Sequence, residues 1–421
     1  MMRITSVAIV AVVLFLLGCD TGGRVEPFFQ NYFIKYYGAD GNQDGRDLYV
    51  NDDGTMILLG NSSSLTESSM PFIAKTDSLG NVLWQRHMGG RNEEAVDVEY
   101  IPGGIHQGKL VVVSNIVNAG SYSIRVTILD QDGKGIDSLV LPNAGTQFAK
   151  SITPSSNNDF LVSGYEQPDP VVNPEPIDPA DDKADIMVLR VSQSLASVKT
   201  LSRQGGEKEG WGTKVFEVNL QDTVKYAVFG YSDRPEFEGT GVFVPKFEVI
   251  VVNVNGNQSI RRTTGQNGDV TKAAQAIKVP AVQGDGFFMI GTSINGSGSD
   301  IFITKYSKDL SELSPSPALK LPEGAPMEGV AAAAAVAEDG YFLLANQTQN
   351  NSNNTNIFLS HIRRDGSKIW STTFGSEEGN DKAGAVAALR GGRIAVLGTI
   401  DLETQRKMAL IIVTKTGGFS N

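Results

Sequence analysis

Hydrophobic and polar positions change places at a short, steady interval along most of this chain. Residues 356–399 show the pattern best. Four runs of β-type residues stand there, at 356–361, 368–374, 384–389 and 393–399, with turn residues between them. Asp365-Gly366 and Gly391-Gly392 read as tight hairpin turn pairs, because the favoured two-residue turns need positive φ, which Gly adopts without steric cost. The connection at 375–381 is longer and polar. Short strands at even spacing with Gly turns mean an all-β sandwich, barrel or propeller. Whether the unit repeats decides among them.

It does repeat. A hydrophobic run ending in a small residue occurs at 56–60, 110–114, 160–164, 226–230, 287–291, 341–345 and 394–398, seven copies spaced 50 to 66 residues apart. A small side chain at the end of a buried strand predicts close approach of a neighbouring backbone. Each copy is followed by a polar loop and a second apolar run, as at 71–76, 185–191 and 407–414. Four strands per unit at this period predict a seven-bladed β-propeller. Its blade strands are named a to d from the central channel outward.

Outermost d strands are expected at 82–88, 136–141, 197–203, 258–263, 316–321 and 368–374, and the seventh unit stops after its c strand. The missing strand stands at the other end of the sequence. Residues 32–37 followed by Gly38 match 83–88 followed by Gly89, and 370–374 followed by Gly375. An N-terminal strand in that place completes the last blade and pairs an edge that would otherwise stay open. Trp84 and Trp370 hold the same position in two d strands, which reads as packing between blades.

Residues 1–18 read as a secretory signal: Arg3 gives the positive start, and the apolar core at 7–17 is too short to span a bilayer. Leu16-Leu17-Gly18-Cys19 resembles the lipobox of bacterial lipoproteins. The resemblance implies cleavage before Cys19, lipid on its thiol and a cell-envelope location, with the outer membrane expected. Residues 19–31 then form a tether and 32–421 one propeller domain. Cys19 is the sole Cys, so no disulfide forms within the chain.

The formal charge of −11, with no Lys/Arg stripe, argues against nucleic acid as a partner. Acids crowd the d-to-a connections, which ring one mouth of the channel: Asp40, Asp44, Glu93, Glu94, Glu207, Glu209, Asp269, Glu323, Glu328, Glu377, Glu378 and Asp381. They serve either as solvated loops that keep the protein soluble or as a surface for a cation or a basic partner. Two long b-to-c connections rise on the same face, in blades three and four. The first, 166–184, is rich in Pro and acid and includes Asp178, Asp181 and Asp182; the second, 233–245, includes Phe237 and Phe243. Long loops on a rigid scaffold commonly carry binding, though loops also accept insertions at little cost. A partner held there by the acids is expected to be basic or cation-bridged.

Asp40-Gly-Asn42-Gln-Asp44-Gly45 matches the opening of a calcium loop, with Asn51 where the bidentate Glu would stand. Apart from that calcium alternative, no cofactor is expected. His87, His106 and His361 have no metal spacing, and no nucleophile-base set can be assembled. Trp211, in a Gly-rich segment, has two readings: a core residue, or an aromatic at the channel mouth on which a ligand stacks.

Asp77-Ser-Leu-Gly80-Asn-Val-Leu-Trp84 and Asp365-Gly366-Ser-Lys-Ile-Trp370 resemble the repeats of bacterial extracellular propellers common in Bacteroidetes envelope proteins. Gly four residues before Trp is also similar to quinoprotein-type repeats, but the docking Trp is absent from five of the seven units. The expected function is a non-enzymatic lipoprotein scaffold that binds an envelope protein. The alternatives are a glycan-binding propeller, with Trp211, Phe237 and Phe243 as platforms, or a lyase or glycosidase using carboxylates at the channel mouth.

Overall fold

The small residue that ends each apolar run, glycine in five of the seven, explains how a blade is built. A Cβ on Gly60 would lie 2.2 Å from the carbonyl oxygen of Asp44, one on Gly164 1.9 Å from that of Phe148, and one on Gly291 2.0 Å from that of Lys272. In each case the obstructing carbonyl belongs to the neighbouring inner strand, just where that strand bulges. The bulges fall between Gly45 and Asp47, Ala95 and Asp97, Ala149 and Ser151, Gly212 and Lys214, Ala273 and Gln275, Gly329 and Ala331, and Ala383 and Ala385. An extra residue in one strand kinks it and re-aims its side chain. All seven inner strands carry the bulge at the same level.

The computed structural model describes residues 34–419 apart from 65–67, 119–120, 143–144, 169–183, 205–208, 236–242, 266–268, 282–283, 297, 312–317, 322–323, 336–339, 350–353 and 377–378. The described strands form seven antiparallel sheets of four. Blades one to six run in chain order over 42–87, 93–140, 145–204, 210–264, 270–321 and 327–374. Blade seven takes three strands from 382–413 and its fourth, Ile34–Tyr37, from the N-terminus. That strand pairs Ile34 with Ile411 and Tyr37 with Met408. The first strands of neighbouring blades touch all the way round, so they line the channel as expected of a seven-bladed propeller.

Apolar cores lie between adjacent blades. One gathers Val111, Val126, Ile152, Phe160 and Met187 from blades two and three; another joins Tyr37, Leu58, Leu397 and Leu410 across the seam between blades seven and one. Around the outside, d strands dock on the next blade's c-to-d turn. Trp84 donates its indole N–H to Gln131 O at 3.1 Å and Trp370 to Lys415 O at 2.8 Å, each ring lying over the turn glycine, Gly133 or Gly417. Tyr37 does the same at the seam, its hydroxyl donating to Gly80 O at 2.7 Å.

The c-to-d turns differ from the expected two-residue form. Gly366 N–H bonds back to Arg363 O and Gly366 alone takes positive φ, at 88°, while Asp365 accepts the amide of Ser367. This is the three-residue hairpin in which a turn closes through a left-handed glycine bulge. Gly391 and Gly392 do both take positive φ, 78° and 76°, inside a short 3-10 turn.

Nearer the channel, a second ring of hydrogen bonds joins blade to blade. The residue after each b-strand small residue accepts an amide from the next inner strand: Asn61 from Ala95, Asn115 from Ala149, Thr292 from Gly329, Asn346 from Ala383 and Thr399 from Gly45. Blades three and four have Tyr165 and Tyr231 in that position instead.

Candidate functional site

The acids expected around the channel mouth behave differently from a solvated ring. Glu93 is only 1 % exposed; it accepts Gly90 N–H at 2.7 Å and pairs with Arg125 at 2.9 Å. Asp381 is buried, accepting the amides of Ser376 and of Asp401. Burial pushes its pKa up, despite those bonds. Asp269 is buried against Lys320. These carboxylates fold back to satisfy the amides and bases of their own surroundings. A Cβ on Gly89 would lie 2.7 Å from the Glu93 carboxylate, and one on Gly375 2.3 Å from Asp381, so the glycine after each d strand makes room for the acid. Glu93 and Asp381, both expected on a partner surface, are buried and staple their own surroundings.

A cavity of 770 Å³ opens at this mouth, a size suited to a small-molecule or oligomeric ligand. Its charged lining comes from side chains on strands rather than loops. Arg46 and Lys150 stand on two of the bulges; Lys272 and Lys382 stand two residues before theirs; Arg406 comes from blade seven. Asp44 and Glu328 are the acids among the lining residues. Arg406 approaches Asp44 at 3.6 Å, and Glu328 accepts Asn346 at 3.0 Å. The side chains of Arg46, Lys272 and Lys382 make no hydrogen bond or ion pair among the described residues. Confinement lowers the pKa of Lys150, and the positive charge of Arg46 lowers it further. Among the described lining residues five cations stand against two carboxylates, a balance that favours negative charge.

On one side the cavity wall is aromatic. Tyr122, Phe148, Tyr165, Trp211 and Tyr231 follow one another across blades two to four, with successive ring centroids 5.1, 5.2, 4.0 and 6.1 Å apart. Trp211 and Tyr231 line the cavity, and Lys150 lies 5.0 Å from the Phe148 ring centre. Burial pushes the Tyr165 hydroxyl up to about 12, with Tyr122 and Glu209 adding to the shift, so it stays protonated as a donor. Trp211 is half-buried at the channel mouth, packed against Tyr165 and Tyr231.

Below the mouth, the channel holds a buried ionic cluster. Lys214 reaches Asp97 and Glu99 of blade two, 2.8 Å to each. Asp97 also accepts the amide of Ile152, and Asp47 that of Val98. Burial raises the Asp47 pKa well above the carboxylate range, and the charge of Asp97 and a hydrogen bond with it add to the effect. Burial likewise raises Glu99. For Lys214, burial acts downward, but the two carboxylates outweigh it and hold the ammonium charged.

The remaining expected residues fall in several places. Asp40 lies in an exposed bend, but Asn42 and Asp44 belong to the strand Asn42–Val50, and the Asn42 side chain accepts the amide of Arg406. The D-x-N-x-D-G segment is thus extended from Asn42 onward rather than wrapped as a loop. Among the described residues, no group of three or more His, Cys, Asp or Glu is placed to hold a metal. Glu94 stands at the rim near Lys150, and Glu209 beside the Tyr165 and Tyr231 hydroxyls. Phe243 opens the strand Phe243–Asn253, which pairs with Thr223–Pro235, so both ends of the expected loop at 233–245 are paired strand. Cys19, Asp178, Asp181, Asp182, Glu207, Phe237, Glu377 and Glu378 lie outside the described residues.

No family model matches the chain, and no curated protein matches its sequence. Among solved structures, it is similar to hydrazine synthase of Kuenenia stuttgartiensis, with a TM-score of 0.53 and 9% identity over 91% of this chain and 98% of that one. It is also similar to Sqt1 of Chaetomium thermophilum, with a TM-score of 0.46 and 13% identity over 88% of this chain and 83% of that one. At such identities the first likeness bears on the fold alone, and the second carries no argument. A shared propeller does not carry a shared function.

Proposed function

We propose that this chain is a binding scaffold of the cell envelope, tethered through lipid on Cys19, that receives an anionic partner at the mouth of its channel. The cationic lining of the cavity carries this reading. Arg46, Lys150, Lys272 and Lys382 come from blades one, three, five and seven and converge on one space without ion-pair partners among the described residues. Mutual repulsion of that kind is tolerated where a ligand of opposite charge relieves it. Binding rather than catalysis is favoured because four acids near the mouth and in the channel are already engaged: Glu93 with Arg125, Asp381 with backbone amides, Asp97 and Glu99 with Lys214.

Replacing Lys150 and Lys272 together by Glu should abolish capture of a polyglutamate probe by the mature protein, read by calorimetry. Wild-type capture should weaken as salt rises. Undiminished capture by the double variant would place the anion elsewhere. The tether has its own test. Cys19→Ser should move the protein from the membrane to the soluble envelope fraction, and retention in the membrane would remove the lipid from the account.

A further inference from the structure

The seven blades give the aromatic wall a control. Rim positions two residues before each bulge hold Asp44, Glu94, Lys272, Glu328 and Lys382 in five blades, but Phe148 and Trp211 in blades three and four. Positions after the small b-strand residue hold Asn or Thr in the same five blades, where they bond the next blade, but Tyr165 and Tyr231 in three and four. The five other blades show that small or charged side chains satisfy the fold at both positions. Blades three and four give up two inter-blade hydrogen bonds of this ring and set aromatic rings there. The exceptions are neighbours, they stack on one another, and two of them face the cavity. Packing needs do not account for that departure.

We infer that the cavity binds an acidic sugar, with a pyranose ring of a uronate-containing glycan against Trp211 and Tyr231 and its carboxylate between Lys150 and Lys272. This rests on the anionic-partner reading and names the class of partner. A pyranose presents an apolar C–H face to an aromatic ring and hydroxyls at its edge; Trp211 offers such a ring, half-buried on its flank against Tyr165. Lys150 and Lys272 come from the blades on either side of the Trp211 blade, so cations flank the platform. A neutral sugar would leave the lysines unpaired, and an acidic peptide would have no use for the aromatic wall.

The test titrates the mature protein with three probes: a galacturonate oligomer, a neutral galactose oligomer of equal length, and polyglutamate. The uronate should bind at least about tenfold more tightly than the neutral sugar. Trp211→Ala should weaken uronate binding by about tenfold or more and leave polyglutamate within about twofold. Trp211→Phe, which keeps a ring in the inter-blade stack, should restore part of the uronate affinity and guards against a folding defect in the Ala variant. If polyglutamate binds but the uronate does not, or if Trp211→Ala weakens both alike, the sugar is wrong and the anionic mouth stands. If no probe binds, both readings fall.

Discussion

A chain lacking residues 31–38 should melt far below the intact protein and lose its single cooperative transition, because the deletion opens the ring at its seam. Ile34–Tyr37 is the only N-terminal segment in blade seven among the described residues, and without it the strand Arg406–Val413 becomes a bare edge. Tyr37 is 2 % exposed, packs with Leu58, Leu397 and Leu410, and bonds Gly80 of blade one. Lys35 adds a hydrogen bond to Leu79 O at 2.7 Å. The milder change Tyr37→Ala should by itself cost about 3–5 kcal/mol, the range for truncating a buried aromatic. Urea and thermal unfolding followed by circular dichroism measure both. A truncated protein with the wild-type midpoint would mean that this strand does not close the ring.

That strand was legible in the sequence because closure obeys a count: six outer strands were present and the seventh copy ended early. The small residues at 60, 164 and 291 gave the register for a physical reason, since a larger side chain there would strike the bulged inner strand. The bulges themselves were not legible. Gly45-Arg46-Asp47, Ala149-Lys150-Ser151 and Gly212-Thr213-Lys214 share no residue type at the bulge: Arg46 and Lys150 are exposed, whereas Thr213 is buried and donates to Phe229 O. For that reason Arg46 and Lys150 went unnoticed as one ring. The acids misled for the opposite reason. Glu93 and Asp381 look like surface residues in a loop, and nothing local in sequence shows that a glycine several residues earlier leaves room for each to fold inward. Trp211 was singled out, but its partners Phe148, Tyr165 and Tyr231 become neighbours only once the blades are assembled.

Lys214→Met should destabilise the protein by about 3–5 kcal/mol near neutral pH, the usual penalty for leaving a buried ion pair half made. Asp97 and Glu99 would then face each other and Asp47 without a cation. The sign of the pH dependence follows from the carboxyls. Asp47 and Glu99 have folded pKa values raised by burial, so each contributes stability that is fully present below the unfolded carboxylate value and is lost as pH rises through the folded value. Lys214, also raised, contributes stability that is lost only in strong alkali. The Lys214→Met defect should therefore be larger at pH 8 than at pH 5, where the carboxyls can take up protons. Asp47→Asn should do the reverse to the intact cluster: it keeps an acceptor for Val98 N–H, no longer has to ionise, and should raise the urea midpoint at pH 8. Equal Lys214→Met defects at both pH values would show that the cluster does not titrate as its geometry requires.

The seam also sets how the molecule bears load. If Cys19 carries lipid, a pull from the membrane would meet first the four paired residues Ile34–Tyr37. The hydroxyl of Tyr37 and the ammonium of Lys35 tie those residues sideways to blade one, so the same tension is handed across the seam to a second blade. Mechanical strength at this joint therefore depends on three side-chain bonds that reach over it, from Tyr37 to Gly80 and from Lys35 to Leu79 and Asn81.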